Sequence, residues 1–413
     1  MRFLTYLLCL FCSLLLLACG GGGGGGSGSG SGSTPAPAPQ PQPAQNVQTL
    51  VLDSGPLTAS GQSVGAVNSP YVTLTICQPG STTQCQTIDH ILVDTGSSGL
   101  RIMSSVLAGN MALPAVTSAN GNPVAECARF ADGYSWGSVK QADLRIAGEV
   151  ASGISVHIIG DSALPTVPSG CSGSLVAENT VAAFHANGLL GISTFVQDCG
   201  GACASQALAG WYYSCSSLNC SAIALALGQQ VGNPVAVFPQ DNNGTLIQLP
   251  AVGANGASGV TGSLIFGIGT QANNALGSAT IYTLNSSGNL NTLYQGQTTP
   301  AFFDSGSNGL FFADSSIPNC TLSTGFYCPT STLSRSAVNT GVNGRSNSVS
   351  FNVANADSLF QSNPNNTAFS NLAGAEAFAS FFDWGLPFYF GRSVYTALEG
   401  VSAGGTVGPY VAY

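Results

Sequence analysis

Hydrophobic and polar positions alternate through Tyr71–Gln78 (YVTLTICQ) and again through Cys85–Ile102 (CQTIDHILVDTGSSGLRI). With β-branched residues on both arms, this pattern predicts a hairpin whose second strand ends at Asp94. Residues 130–159 (FADGYSWGSVKQADLRIAGEVASGISVHII) alternate turn residues with strand-like runs, and Asn187–Ser193 (NGLLGIS) sets an apolar pair before Gly191. The stretch 195–232 is richer in Ala, Leu and Cys, and a short helix is expected in Ser221–Gln230. Strand-like runs then resume at 233–238 (NPVAVF), 262–270 (GSLIFGIGT), 279–284 (ATIYTL) and 300–312 (PAFFDSGSNGLFF).

The second block repeats the order of the first, as two large, diverged halves and not as a short-period repeat, so a solenoid is excluded. Residues 241–262 (DNNGTLIQLPAVGANGASGVTG) read as loop and place the boundary between an N-terminal lobe, 48–250, and a C-terminal lobe, 251–413. Composition agrees with strands: 44 % of residues are hydrophobic, only 6 % are charged, and 54 are glycine. That mixture favours an all-β fold with many turns, and 413 residues suffice for two lobes.

The amino terminus has a different character. Met1–Cys19 (MRFLTYLLCLFCSLLLLAC) carries one positive charge, an apolar run and a small residue before the cysteine, as a secretory signal does. Leu16–Cys19 resembles the lipobox of bacterial lipoproteins, which implies lipidation at Cys19 and a protein anchored to the bacterial cell envelope, facing the periplasm or the exterior. Residues 20–47, with seven consecutive glycines and TPAPAPQPQPAQ, read as a flexible tether, with a reach on the order of 30 Å.

Net charge is −9, and no Lys or Arg lies between Arg2 and Arg101. Nucleic acid is therefore excluded as a partner, and no basic pro-segment is expected. Ten of the 13 cysteines follow the signal, and export favours disulfides. Cys77/Cys85 and Cys320/Cys328 each flank a turn and are the two expected local staples. Cys199, Cys203, Cys215 and Cys220 have spacings that zinc could use, but they lack a nearby His, so disulfides are expected there too and no metal.

The candidate chemistry lies in the repeated element. Val93-Asp94-Thr95-Gly96-Ser97 returns as Phe303-Asp304-Ser305-Gly306-Ser307. One such Asp-Thr-Gly is ordinarily a strand-end turn; two in matching context are a stronger signal. The pair resembles the catalytic motifs of pepsin-like aspartic peptidases. Other segments follow that family's order: 130–148 resembles the flap and its following strand, Asn187–Ile192 the apolar-apolar-Gly segment, Gly262–Gly267 the opening of the second lobe, and 384–400 the closing segment.

The resemblance implies a bilobal double β-barrel with an active cleft between the lobes, and Asp94 and Asp304 as the catalytic pair. Two carboxyls brought together share a proton, so the charged one can draw a proton from water while the protonated one polarises a peptide carbonyl. Gly96 and Gly306 permit the turn, Ser97 and Ser307 can donate to the outer carboxylate oxygens, and Thr95 and Ser305 would clasp the backbone beneath. The flap position usually held by tyrosine is Phe130, with Tyr134 and Trp136 near enough in sequence to stand in. Arg101 occupies the place of the tryptophan that often supports that tyrosine. In the second half the apolar-apolar-Gly element reads Gly385-Leu386-Pro387.

Competing chemistry is thin. Gly61–Gly65 (GQSVG) lacks the strand and helix of a nucleophile elbow. His90, His157 and His185 occupy unrelated contexts, and Asp132 reads as a turn residue. The expected function is an aspartic endopeptidase acting on peptide or protein, monomeric and without cofactor. The alternative is a non-catalytic module of the same fold that binds protein or glycan.

Overall fold

Period-two patterning becomes sheet because alternate side chains meet a core: in the hairpin, Leu74, Ile76, Ile88, Ile91 and Val93 are buried, whereas Thr73, Thr87 and Asp89 are exposed. The computed structural model of the chain describes residues 45–216, 219–375 and 380–413. The expected signal with Cys19, and the tether as far as residue 44, lie outside the described residues. The remaining tether residues are built into the fold, since Asn46 is buried and donates to Phe266 O at 2.8 Å, and Val47 opens the first strand.

The strands of the first half are β1 (Val47–Leu52), β2 (Pro70–Cys77), β3 (Cys85–Asp94), β4 (Ser98–Met103), β5 (Val124–Arg129), β6 (Gly133–Ile146) and β7 (Glu149–Ile159). They continue with β8 (Val176–Ala177), β9 (Gly188–Ile192), β10 (Tyr212–Ser216) and β11 (Asn219–Ala222). The second half contributes β12 (Gly244–Gln248), β13 (Val260–Phe266), β14 (Ile281–Thr283), β15 (Leu290–Tyr294), β16 (Gln297–Phe303), β17 (Leu310–Phe311), β18 (Leu333–Thr340) and β19 (Ser346–Val353). It ends with β20 (Ala373–Gly374), β21 (Phe382–Trp384), β22 (Ser393–Ala397), β23 (Ser402–Ala403), β24 (Thr406–Val407) and β25 (Tyr410–Ala412).

These form an all-β double barrel. A 16-stranded sheet runs from β11 through β10, β5, β6, β7, β4, β9, β3 and β2 to β1, then onward through β13, β12, β22 and β25 to β14, with β8 paired to β6 off this path. β1 is the seam, pairing with β2 on one side and β13 on the other. A seven-stranded sheet, β19-β18-β15-β16-β21-β17-β20, carries the second aspartate motif. One apolar core, from Leu50, Ile91 and Leu190 to Phe303, Trp384 and Phe388, underlies both halves.

Three local expectations change. Pro234–Val237 is a 3₁₀ turn and not a strand, because Pro234 follows an Asn233 cap whose side chain accepts from Val235 N. Ser221–Gln230 holds the end of β11 and a 3₁₀ turn at Leu227–Gln229 in place of a helix. The region 241–262 contains β12, whose Leu246 and Ile247 are buried, as well as the start of β13.

All ten cysteines of the folded region are disulfide-bonded: Cys77–Cys85, Cys127–Cys171, Cys199–Cys203, Cys215–Cys220 and Cys320–Cys328. The two expected staples are present, and the four cysteines whose spacing zinc could use are consumed in two short loops. Five disulfides fit an oxidising, extracytoplasmic compartment. Among the described residues, no helix is long and apolar enough to cross a membrane.

Candidate active site

Each aspartate motif sits on the same three-strand unit. β3 runs parallel to β9 with Asp94 opposite Gly191, and β9 pairs antiparallel with β4. In the second half β16 runs parallel to β21 with Phe303 opposite Trp384, and β21 pairs antiparallel with β17. One residue further along, Asp304 donates its N–H to Trp384 O at 3.2 Å and stands beside Gly385. The second apolar-apolar-Gly element is thus Asp383-Trp384-Gly385, upstream of the expected Gly385-Leu386-Pro387; Leu386–Phe388 forms a 3₁₀ turn. Glycine is required at both ends. A methyl on Gly191 would lie 2.8 Å from the Ser98 carbonyl carbon, and one on Gly385 would lie 2.0 Å from Gly309 O.

The two units bring Asp94 and Asp304 face to face. A methyl on Gly306 would lie 3.0 Å from Asp94 Oδ1 and 3.1 Å from Asp304 Oδ1, and one on Gly96 would lie 2.7 Å from the Asp304 carboxyl carbon. A methyl on either turn glycine would thus press on the carboxyl of the opposite half. Gly96 N donates to Asp94 Oδ1 at 2.6 Å and Gly306 N to Asp304 Oδ1 at 2.7 Å. On the outer oxygens, Ser97 Oγ donates to Asp94 Oδ2, and Ser307 Oγ donates to Asp304 Oδ2 at 2.9 Å. Burial, and then the neighbouring Asp94 carboxylate, push Asp304 well above the ordinary carboxylate range. Two carboxyls so placed favour sharing one proton over both ionising.

Beneath the carboxyls, Thr95 and Ser305 exchange backbone-to-hydroxyl bonds, and their own hydroxyls donate to Phe303 O at 2.9 Å and Val93 O at 2.8 Å. Tyr389 was not identified from the sequence. Its hydroxyl lies 2.9 Å from Thr95 Oγ1, and since Thr95 gives its proton to Phe303 O, Tyr389 is the donor. Only a contact 294 residues apart reveals it.

β5 and β6 form the expected hairpin, with Asp132 exposed in its turn. Its aromatic residues divide. Phe130 is half-buried, edge-on to Phe184 at 5.7 Å. Tyr134 and Trp136 do not stand in for a flap tyrosine. Both point into a satellite core with Leu164, Cys171 and Tyr213, and Trp136 Nε1 donates to Leu164 O at 3.0 Å. Two residues apart on one strand, they share a face, and the segment 164–171 covers that face. Arg101 is buried and donates to Glu126 Oε1 at 2.6 Å and Ser98 O at 2.8 Å.

His90 Nε2 lies 3.2 Å from Asp53 Oδ2, and His185 closes a helical turn in the left-handed region with its carbonyl accepting from Tyr71. His157 is fully buried beside Glu126.

Fold and site together define an all-β double-barrel protein that brings one carboxyl from each half into a close, symmetrically supported pair. Over residues 42–413 the chain matches the family described as protein of unknown function DUF3443, and it belongs to that family. No curated protein matches the chain.

Proposed function

We propose that the protein is a pepsin-like aspartic endopeptidase that hydrolyses peptide bonds with a water activated between Asp94 and Asp304. The observation that carries this reading is the approach of the two carboxyls in duplicated settings, with the pKa of Asp304 raised by burial and by Asp94. A pure binding module has no need of two such groups in contact. Asp94, as the carboxylate, takes a proton from the water as its oxygen attacks the scissile carbonyl carbon. Asp304 gives its proton to the carbonyl oxygen, yielding a neutral tetrahedral diol. Collapse of the diol breaks the C–N bond: the leaving nitrogen takes the proton now on Asp94, one diol hydroxyl returns its proton to Asp304, and the products are an amine and a carboxylic acid with the pair regenerated. No covalent intermediate and no cofactor are needed.

The same reading keeps Cys19 as the acylated first residue of a lipoprotein on the bacterial cell envelope, with a single copy of the chain acting alone. Mass spectrometry of the mature amino terminus checks the anchor: unmodified protein beginning at another residue would refute it.

The test of activity is digestion of a peptide library from pH 3 to 8 by the wild type, Asp94→Asn and Asp304→Asn. Cleavage by the wild type and loss of at least a thousandfold in each variant is expected. If the wild type cleaves nothing while both variants keep the affinity of a bound protein or glycan, the protein is a binding module.

A further inference from the structure

Behind the dyad lies a second cluster of ionisable groups that the proposed chemistry does not use. Arg101 on β4, Glu126 on β5, His157 on β7, Tyr212 on β10 and Asp198 in the loop after β9 all bury their side chains almost completely. Arg101 Nη2 lies 2.6 Å from Glu126 Oε1 and 3.7 Å from Asp198 Oδ2, and His157 Nδ1 lies 3.1 Å from Glu126 Oε2. Tyr212 donates to Asp198 Oδ1 at 2.6 Å and accepts from Val231 N at 2.8 Å.

The charges balance in one way. Burial and the adjacent Glu126 push Asp198 well above the carboxylate range, which favours its neutral form. Burial lowers His157 to about 4, so it too is neutral at pH 7. Arg101⁺ and Glu126⁻ are left as a single buried pair. An ion pair so buried is a weak source of stability but a strict fixer of geometry, because removing either partner strands a charge.

What this pair joins gives it meaning. Arg101 Nη1 donates to Ser98 O, in the turn whose Ser97 donates to Asp94. Glu126 sits on the outgoing arm of the β5–β6 hairpin, paired with Gly137 on β6 and Tyr212 on β10. The Arg101 guanidinium is therefore bonded at once to the dyad turn and to the hairpin.

We propose that Arg101 and Glu126 are positioning residues that lock the β5–β6 hairpin in register with the Asp94 turn, so that hairpin and dyad move as one unit when substrate binds. This inference rests on the endopeptidase reading for its catalytic consequence, but the lock itself is physical and can be measured without substrate.

Hydrogen exchange on the full chain supplies that measurement, comparing wild type, Arg101→Met, Arg101→Lys, Glu126→Gln and the double variant. In Arg101→Met, amides of both the dyad turn (96–100) and the hairpin (126–133) should exchange at least tenfold faster. Glu126→Gln should loosen the same two segments, the double variant should add little to the worse single, and Arg101→Lys should recover part of the protection. On peptide, Arg101→Met should raise KM at least tenfold with a smaller effect on kcat. Faster exchange in one segment alone, or additive effects, would overturn the proposal. If Arg101→Met does not fold, Glu126→Gln and Arg101→Lys decide it by the same criterion. If the wild type cleaves no peptide, the endopeptidase reading falls and the exchange result still judges the lock.

Discussion

Thr95 and Ser305 hold each other across the two halves of the protein: Thr95 N donates to Ser305 Oγ at 3.1 Å, and Ser305 N donates to Thr95 Oγ1 at 2.9 Å. The residues are 210 apart in sequence. Each precedes a turn glycine and follows a carboxyl-bearing residue, so this clasp sets the separation of Asp94 and Asp304. Removing its hydroxyls should therefore disturb stability and chemistry together.

Thr95→Val keeps the shape but leaves Ser305 N, Phe303 O and the Tyr389 hydroxyl without their partner. Buried groups stranded in this way cost about 1–3 kcal/mol each. Urea unfolding should show a loss of roughly 3 kcal/mol or more, whereas Thr95→Ser should stay within about 1 kcal/mol of wild type. Equal stability of the two variants would mean that the clasp is not a stabilising contact.

Asp304→Asn separates folding from catalysis. Because the folded-state pKa of Asp304 is raised, the folded protein binds a proton that the unfolded chain releases, and the stability this group supports is lost as pH rises above the ordinary carboxylate range. The amide removes that penalty. Asp304→Asn should melt at or above the wild-type temperature at pH 7, lose the advantage near pH 3, and cleave nothing. A variant markedly less stable than wild type at pH 7 would contradict the protonation assigned here.

The disulfides should differ in worth according to the loop each closes. Cys127–Cys171 spans 44 residues and ties the hairpin to the segment packed beside it, whereas Cys199–Cys203 spans only 4. Restriction of the unfolded chain grows with loop length. The Cys127→Ser/Cys171→Ser pair should cost about 2–4 kcal/mol, clearly more than the Cys199→Ser/Cys203→Ser pair. Guanidine unfolding under non-reducing conditions measures both.

The dyad was legible in the sequence because everything that builds it is local: an apolar strand, an aspartate, a turn glycine and two hydroxyl residues, written twice. The all-β architecture was legible for a similar reason, since alternation marks a half-buried strand wherever it occurs. The buried cluster was not. Arg101 could be seen as out of place, but Glu126, His157, Asp198 and Tyr212 come from separate strands and a loop, and no spacing announces their meeting. Tyr134 and Trp136 were misjudged because period two shows that they share a face without showing what covers it. At Asp383-Trp384-Gly385 a buried acid stands where an apolar residue was sought, which hid the second glycine until strand register revealed it.

His157 and Glu178 should give opposite pH responses, and their opposition is the sharpest test of the electrostatics. Burial lowers His157 from 6.5 to about 4. Between those values the unfolded chain binds a proton that the folded protein refuses, so stability falls as pH drops, by about 3 kcal/mol in all. Glu178, packed against Gly133 in the hairpin, is raised to about 7 by burial and then by Asp132. Here the folded protein binds the extra proton, so stability falls as pH rises from the ordinary glutamate range towards 7. Glu178 is partly exposed, and water screens its effect. Urea unfolding at intervals from pH 4 to 8 separates the two. Relative to wild type, His157→Gln should gain stability progressively as pH falls below 6.5, and Glu178→Gln should gain it as pH rises above 4.5. Differences from wild type that do not change with pH would show that neither group titrates as its surroundings require, and an inverted slope in either variant would reverse its assigned charge state.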